Sequence, residues 1–257
     1  MSALTLRIIA SICMLIDHIG LFFDIFIFRL IGRVAFPLYA FLLVNGFRHT
    51  KNRLRYASRL AIFAVISQIP YMLMIYRWLP VESYGYVLSK INFFELAINN
   101  LNVFVTLFWG LLGIWAGEAL RKYKWTRYIT LLPSILLYFV FYFGHLRSDY
   151  GGTGIMLITI YWFFDGKKLW MVLGTLFTFY HGKLIEFISC LCKGLALPAI
   201  DVSFLIPLCT LCALPFMFLY NNKPGRMPRS KAAKKAVQLG FYAFYPAHLL
   251  LLWLIAH

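Results

Sequence analysis

Between Leu4 and Phe23 the chain is apolar apart from small hydroxyls, broken by charge only at Arg7 and Asp17, with His18 beside the acid. Runs of this kind recur along the whole sequence. The later ones are Ile25–Phe47, Tyr56–Tyr76, Ala97–Leu120, Tyr128–Phe143, Gly151–Phe164, Leu169–Ile188, Phe204–Tyr220 and Val237–Ala256. A helix needs about 20 residues to cross a hydrocarbon core, and the pattern predicts nine such helices, the sixth and seventh short. Asp17 and His18 fall where the plain apolar stretch of a secretory signal would lie, and no small-residue cleavage site follows, so the first run is expected to be a retained helix.

The polar stretches between the runs alternate in charge. If the N-terminus is cytoplasmic, the inner loops are 48–55, 121–127, 165–168 and 221–235. Together with Arg7 and Arg59 they hold 18 of the 25 Lys and Arg. The outer loops 77–96, 144–150 and 189–203 hold few. This is the pattern of the positive-inside rule. It predicts a cytoplasmic N-terminus, an outer C-terminus, and a multi-pass protein of the bacterial inner membrane. The outer stretch 77–96, with Trp78, Tyr84, Tyr86, Phe93 and Phe94, suits the membrane interface. No repeat, linker or soluble domain interrupts the chain, so one integral-membrane domain over 1–257 is expected.

Composition agrees: 62% of residues are hydrophobic and 13% charged, against about half and a quarter in a soluble domain. The formal net charge of +16 would suit a nucleic-acid binder, but its cations sit in short loops between apolar runs, which argues for lipid rather than nucleic acid. Five cysteines form no disulfide framework. Cys209 and Cys212 have metal-ligand spacing inside an apolar run, without a second pair or a histidine, and no metal is expected. There is no phosphate-binding glycine loop, HExxH or dinucleotide fingerprint; the GGTG at 151–154 follows an acidic outer turn.

The chemistry is therefore sought in polar residues placed where a membrane makes them costly. Arg7 and His18 are eleven residues apart. At 100° per residue they share a helix face about 16 Å apart along the axis, which suits a long phosphorylated molecule held at its phosphate by Arg7, with a base at its far end. Arg7 can equally be an interfacial anchor, and Asp17–His18 a helix-end pair. A neutral histidine is a natural general base. Arg33, on the next antiparallel helix, reaches the depth of His18 and can face Asp17, either as a buried ion pair or as part of a site. Pro37 invites a kink.

Arg48, His49, Lys51, Arg53, Arg55 and Arg59 form a basic cluster that suits anionic lipid or a nucleotide phosphate, with Arg48 and Arg59 the more specific contacts. At the other boundary His145, Arg147, Asp149 and Tyr150 precede glycines. Asp149 can turn inward as a site-lining residue, and His248, with Tyr245 three residues earlier, lies inside the last helix. Gln68, Asn99 and Asn102 suit helix–helix hydrogen bonding.

The segments MLIDHIG, IGRVAFPLYAFLLVNGFRHT, RYASRLAIFAVISQIP, LNVFVTL, DYGGTGIMLI and FYPAHLLLL, in order between residues 7 and 255, resemble the TraX family, named for a pilin N-terminal acetylase of conjugative plasmids. The Arg7-x10-His18 spacing is also similar to the motif of the broader acyltransferase-3 type membrane enzymes. The resemblance implies acetyl transfer from cytoplasmic acetyl-CoA, with His18 as general base, Asp17 assisting it, and Arg7 handling the acyl donor. Arg48 and Arg59 would join in binding the donor, and Arg33, Asp149 and His248 would line the site. The acceptor would be a peptide, a glycan or a lipid-linked sugar. The rivals are a proton-coupled transporter, against which stands the lack of paired half repeats, and a non-catalytic assembly factor.

Overall fold

The computed structural model describes residues 1–76, 97–121, 128–144, 146–193 and 205–256. The interfacial reading of 77–96 and the placement of His145 lie outside these residues. The described chain is helical, and the nine predicted runs each return as helix; the seventh, expected to be short, is a 26-residue helix. α1 spans Ala3–Phe22, α2 Phe26–Gly32, α3 Ala35–His49 and α4 Arg53–Ile75. Next come α5 (Val103–Ala119), α6 (Leu132–Phe143), α7 (Gly151–Phe163) and α8 (Lys168–Lys193). The last are α9 (Leu205–Leu208), α10 (Ala213–Phe218) and α11 (Lys231–Ala256).

Among the described residues, four helices are long and apolar enough to cross a membrane by length and composition: Ala3–Phe22, the nearly continuous Phe26–His49, Arg53–Ile75 and Lys231–Ile255. Val103–Ala119, Ile129–Phe143, Gly151–Phe163 and Ile206–Phe218 are shorter apolar helices. Large apolar side chains also cover the outside. On α4, Ile62, Val65, Ile66 and Ile69 are all exposed, Val65 by 76%. An outer apolar surface of this extent is solvated by hydrocarbon, not water.

Where the helices differ from the expected runs, local chemistry explains it. The second run breaks at Arg33–Val34. Pro37 has no N–H to give the Arg33 carbonyl, and its ring crowds that carbonyl. Arg33 and Val34 instead donate three residues back, to Leu30 and Ile31. The eighth run breaks too: Cys209–Cys212 form a 3-10 turn rather than the interior of a helix, just where Pro215 meets the Leu211 carbonyl. Other helices start or end outside the apolar stretch because their ends are polar. Asn52 accepts the Arg55 N–H at 2.8 Å to start α4 at Arg53, and Ser230 accepts the Ala233 N–H at 3.0 Å to start α11 at Lys231. Asn102 caps α5 through the Phe104 N–H at 3.0 Å, so that helix begins six residues after Ala97.

The described residues group into two compact units, one of Met1–Leu42 with Ile160–Gly225, the other of Leu43–Thr159 with Arg226–His257. In the first, α1 packs closely on α2. A Cβ at Gly20 would meet Phe28 and the Ile25 carbonyl, and one at Gly32 would overlap the Asp17 side chain. The Ala3 and Leu4 N–H groups, orphaned at a helix start, donate to the Lys223 and Pro224 carbonyls at 2.9 and 3.1 Å.

In the second unit, α4 is central. Its seam Ala57, Leu60, Ala64 and Ser67 is buried, and the small residues in it permit close helix approach. Arg59 meets Gln238, and Phe63 stacks on Tyr242 at 5.2 Å, so α4 and α11 run parallel. α5 runs back along α4: Asn102 Nδ2 donates to the Ala64 carbonyl at 2.6 Å and to Gln68 Oε1 at 2.8 Å, while Phe104 lies by Phe63. Gln68 Nε2 in turn donates to the Asn100 carbonyl at 2.6 Å. Gln68 and Asn102 thus act as the expected interhelical glue.

Candidate functional site

Asp17 and His18 are both buried, 8% and 7% exposed. Asp17 faces α2, where two arginines one helical turn apart grip it. Arg33 Nη2 donates to Oδ1 at 2.5 Å and Arg29 Nη1 to Oδ2 at 2.7 Å. Arg29 also reaches the Asp17 backbone carbonyl at 3.3 Å, and Arg33 Nε donates to the Arg29 carbonyl at 3.2 Å. The ion pair expected between Arg33 and Asp17 is present. Arg29 was not anticipated, although its i, i+4 spacing from Arg33 was a visible signal. One carboxylate between two guanidiniums leaves the trio with a net positive charge in a part-buried place.

His18 lies on the α1 stripe that runs through Arg7, Ser11 and Met14. Ser11, between the two residues singled out from sequence, shares a 2.8 Å hydrogen bond with the Tyr39 hydroxyl of α3. Arg7 is half-buried, and its charge is felt at Tyr39 and at Tyr220. At Tyr220, just past α10, burial raises the hydroxyl pKa and Arg7 opposes the rise. Arg7, Ser11 and His18 therefore mark one polar line along α1, faced by Tyr39. Ser11 and Tyr39 were missed because hydroxyls in apolar runs carry little signal in sequence.

The remaining predicted residues belong to the second unit. Asp149 sits in a turn held by a short parallel bridge between Leu101 and Ser148. Leu101 N–H donates to the Arg147 carbonyl, and Asp149 N–H to the Leu101 carbonyl, both at 2.8 Å. Thr106 Oγ1 bonds the Ser148 hydroxyl at 2.9 Å and the Asp149 carbonyl. Tyr150 has a φ of 63° and Gly151 of 40°, a left-handed turn into α7. The Asp149 carboxylate lies within electrostatic reach of Tyr71 on α4 and Tyr245 on α11.

His248, 5% exposed, donates from Nδ1 to the Phe244 carbonyl at 2.6 Å. Its ring stacks on Phe244 at 4.9 Å and meets Tyr245 edge-on at 5.8 Å. Asp149, Tyr71, Tyr245 and His248 thus gather around the upper half of α11. At the other end of the unit Arg59 lies half-buried between the rings of Tyr56 and Tyr242, at 5.7 and 5.9 Å, and Arg48 is exposed at the end of α3.

Described residues that are helical, with apolar outer faces and ionisable side chains buried in the helices, make this a membrane protein. The chain belongs to the TraX family: the sequence model of that family, described as TraX protein, matches residues 2–256. It is similar to a probable fimbrial assembly protein FimC, serogroup H1, of Dichelobacter nodosus. The two are 27% identical over 265 residues, which cover 98% of this chain and 94% of the relative. No solved structure matches.

Proposed function

We propose that this protein is a multi-pass acetyltransferase of the bacterial inner membrane, with a cytoplasmic N-terminus, that moves an acetyl group from cytoplasmic acetyl-CoA to an amine or hydroxyl. The observation that carries the reading is the buried His18, one residue from a carboxylate held by two arginines and on one helix face with Arg7. His18 takes the proton from the acceptor O–H or N–H while that atom attacks the thioester carbonyl. The tetrahedral intermediate collapses with loss of the CoA thiolate, which receives the proton from His18. Asp17 is a positioning residue: clamped to α2, it holds the backbone that carries His18. The net positive charge of the Arg29–Asp17–Arg33 trio favours negative charge developing nearby. Family membership supports a pilin-type peptide amine as acceptor; a glycan or lipid-linked sugar hydroxyl is chemically equivalent for this base.

The test is purified protein with radiolabelled acetyl-CoA and candidate acceptors. His18→Ala is expected to lower transfer by roughly 100-fold or more while still binding coenzyme A. Full turnover by that variant overturns the assignment of His18. A second reading, a non-catalytic assembly factor, is favoured by the likeness to a fimbrial assembly protein. It predicts that wild type transfers no acetyl and that His18→Ala still supports assembly.

A further inference from the structure

The parallel pairing of α4 and α11 puts two helix N-termini side by side, each the positive end of its dipole. On the facing stripes, spaced by three and four residues, α4 presents Arg55, Arg59 and Phe63. On α11 the matching stripe is Lys231, Lys234 with Lys235, Gln238 and Tyr242. The levels are set by the 3.3 Å hydrogen bond from Arg59 Nη1 to Gln238 and by the Phe63–Tyr242 stack. Beyond Arg59, toward the helix starts, both stripes carry only cations. Neither 43–76 nor 226–257 contains an Asp or Glu, and neither helix has an acid in its first turn. Glu118, near the end of α5, pairs with none of these cations among the described residues.

Arg59 itself is half-buried, and its Nε–H is fully enclosed without a hydrogen-bond partner among the described residues. A half-buried guanidinium between two tyrosine rings, beside exposed cations that no acid of either helix answers, suits an anion that the protein does not supply.

We propose that the paired N-terminal ends of α4 and α11 form a binding site for a phosphate ester. Arg59 and Gln238 form its floor, and Arg55, Lys231, Lys234 and Lys235 its mouth. Under the acetyl-transfer reading, on which this assignment of ligand rests, the phosphate is that of the acyl donor. The α11 lysines, which sequence reading used only to orient the chain, then become donor-binding residues. The same chemistry could be met by an anionic phospholipid headgroup, and the test separates the two.

The experiment uses full-length protein in neutral detergent, titrated with coenzyme A and with pantetheine, the same arm without phosphates. Native mass spectrometry of the protein with phosphatidylglycerol forms a second arm. The variant is Lys231→Gln/Lys234→Gln/Lys235→Gln, whose positions are exposed and so spare the fold. Coenzyme A is expected to bind the triple variant about tenfold or more weakly, the loss of at least one charge-assisted hydrogen bond. Pantetheine binding should be unchanged, and replacing the three lysines by arginine should restore affinity. If instead phosphatidylglycerol is retained by wild type and lost from the variant, with coenzyme A indifferent, the phosphate ester is the lipid's. Equal binding of both probes by wild type and variant overturns the site. His18→Ala must leave these affinities intact. A wild type that binds coenzyme A through the lysines yet moves no acetyl keeps this site and loses the transferase reading.

Discussion

The two compact units handle charge in opposite ways. In the first unit, Asp17 has both carboxylate oxygens occupied by Arg29 and Arg33, so the buried acid is answered inside the protein. In the second, Arg55, Arg59, Lys231, Lys234 and Lys235 have no ion pair among the described residues, and Arg59 keeps an enclosed donor unused. A charge answered within the chain holds helices together; a charge left unanswered near a surface is available to a ligand. Substitutions in the two units should therefore differ in the quantity they change: stability in the first, affinity in the second.

The largest effect is expected at Asp17. Asp17→Asn leaves two part-buried guanidiniums facing each other without their acid, a loss of about 3 kcal/mol if the pair behaves as buried pairs elsewhere. Thermal unfolding in detergent would show it. Arg33→Gln should cost less, because Arg29 still holds the carboxylate. Arg29→Gln should cost least, since its side chain is 28% exposed against 17% for Arg33. Because Asp17 acts by position, Asp17→Glu should restore part of kcat, and coenzyme A affinity should stay flat across the series. An Asp17→Asn protein as stable as wild type would remove the contrast at its stronger end.

A smaller effect is expected next door. Gly32→Ala puts a methyl group into space held by the Asp17 side chain, and forced overpacking of this kind costs about 1–3 kcal/mol. The gain in helix propensity from alanine, about 1 kcal/mol, offsets only part of it. Combining Gly32→Ala with Asp17→Ala should cost less than the two separately, since the methyl then meets no carboxylate. Strict additivity would mean that the clash is relieved elsewhere.

These residues also mark how far the sequence could be read. The helices were legible because apolar runs of sufficient length are unambiguous, and the Asp17–Arg33 pair because adjacent helices joined by a short turn must pack. The break at Arg33–Val34 was signalled by Pro37, whereas the one at Cys209–Cys212 needed the placement of Pro215 relative to the Leu211 carbonyl, which periodicity does not weigh. Arg29 was missed although it stands one turn before Arg33, where both guanidiniums can reach the same carboxylate. Tyr71 and Tyr245 near Asp149, and the α4–α11 pairing, join segments as much as some 180 residues apart, as in the Arg59–Gln238 contact. A single sequence carries no local signal for such pairs.

The smallest effect on stability, and the one of opposite sign, is expected at the lysines. Lys234 and Lys235 stand at the end of the first turn of α11, where cations oppose the helix dipole, together by at most about 1 kcal/mol at low salt. They also repel Arg55 and Lys231. Lys234→Gln/Lys235→Gln should therefore leave ligand-free protein as stable as wild type or up to about 1 kcal/mol more stable. Added salt should raise wild-type stability and leave the variant nearly unchanged, because it screens a repulsion the variant lacks. In the presence of coenzyme A the order should reverse, since wild type gains the binding free energy and the variant gains little. A double variant that unfolds as readily as Asp17→Asn would mean that the lysines are held by partners within the fold. The basic end would then be a structural device like the acid clamp, and the division between the two regions would not stand.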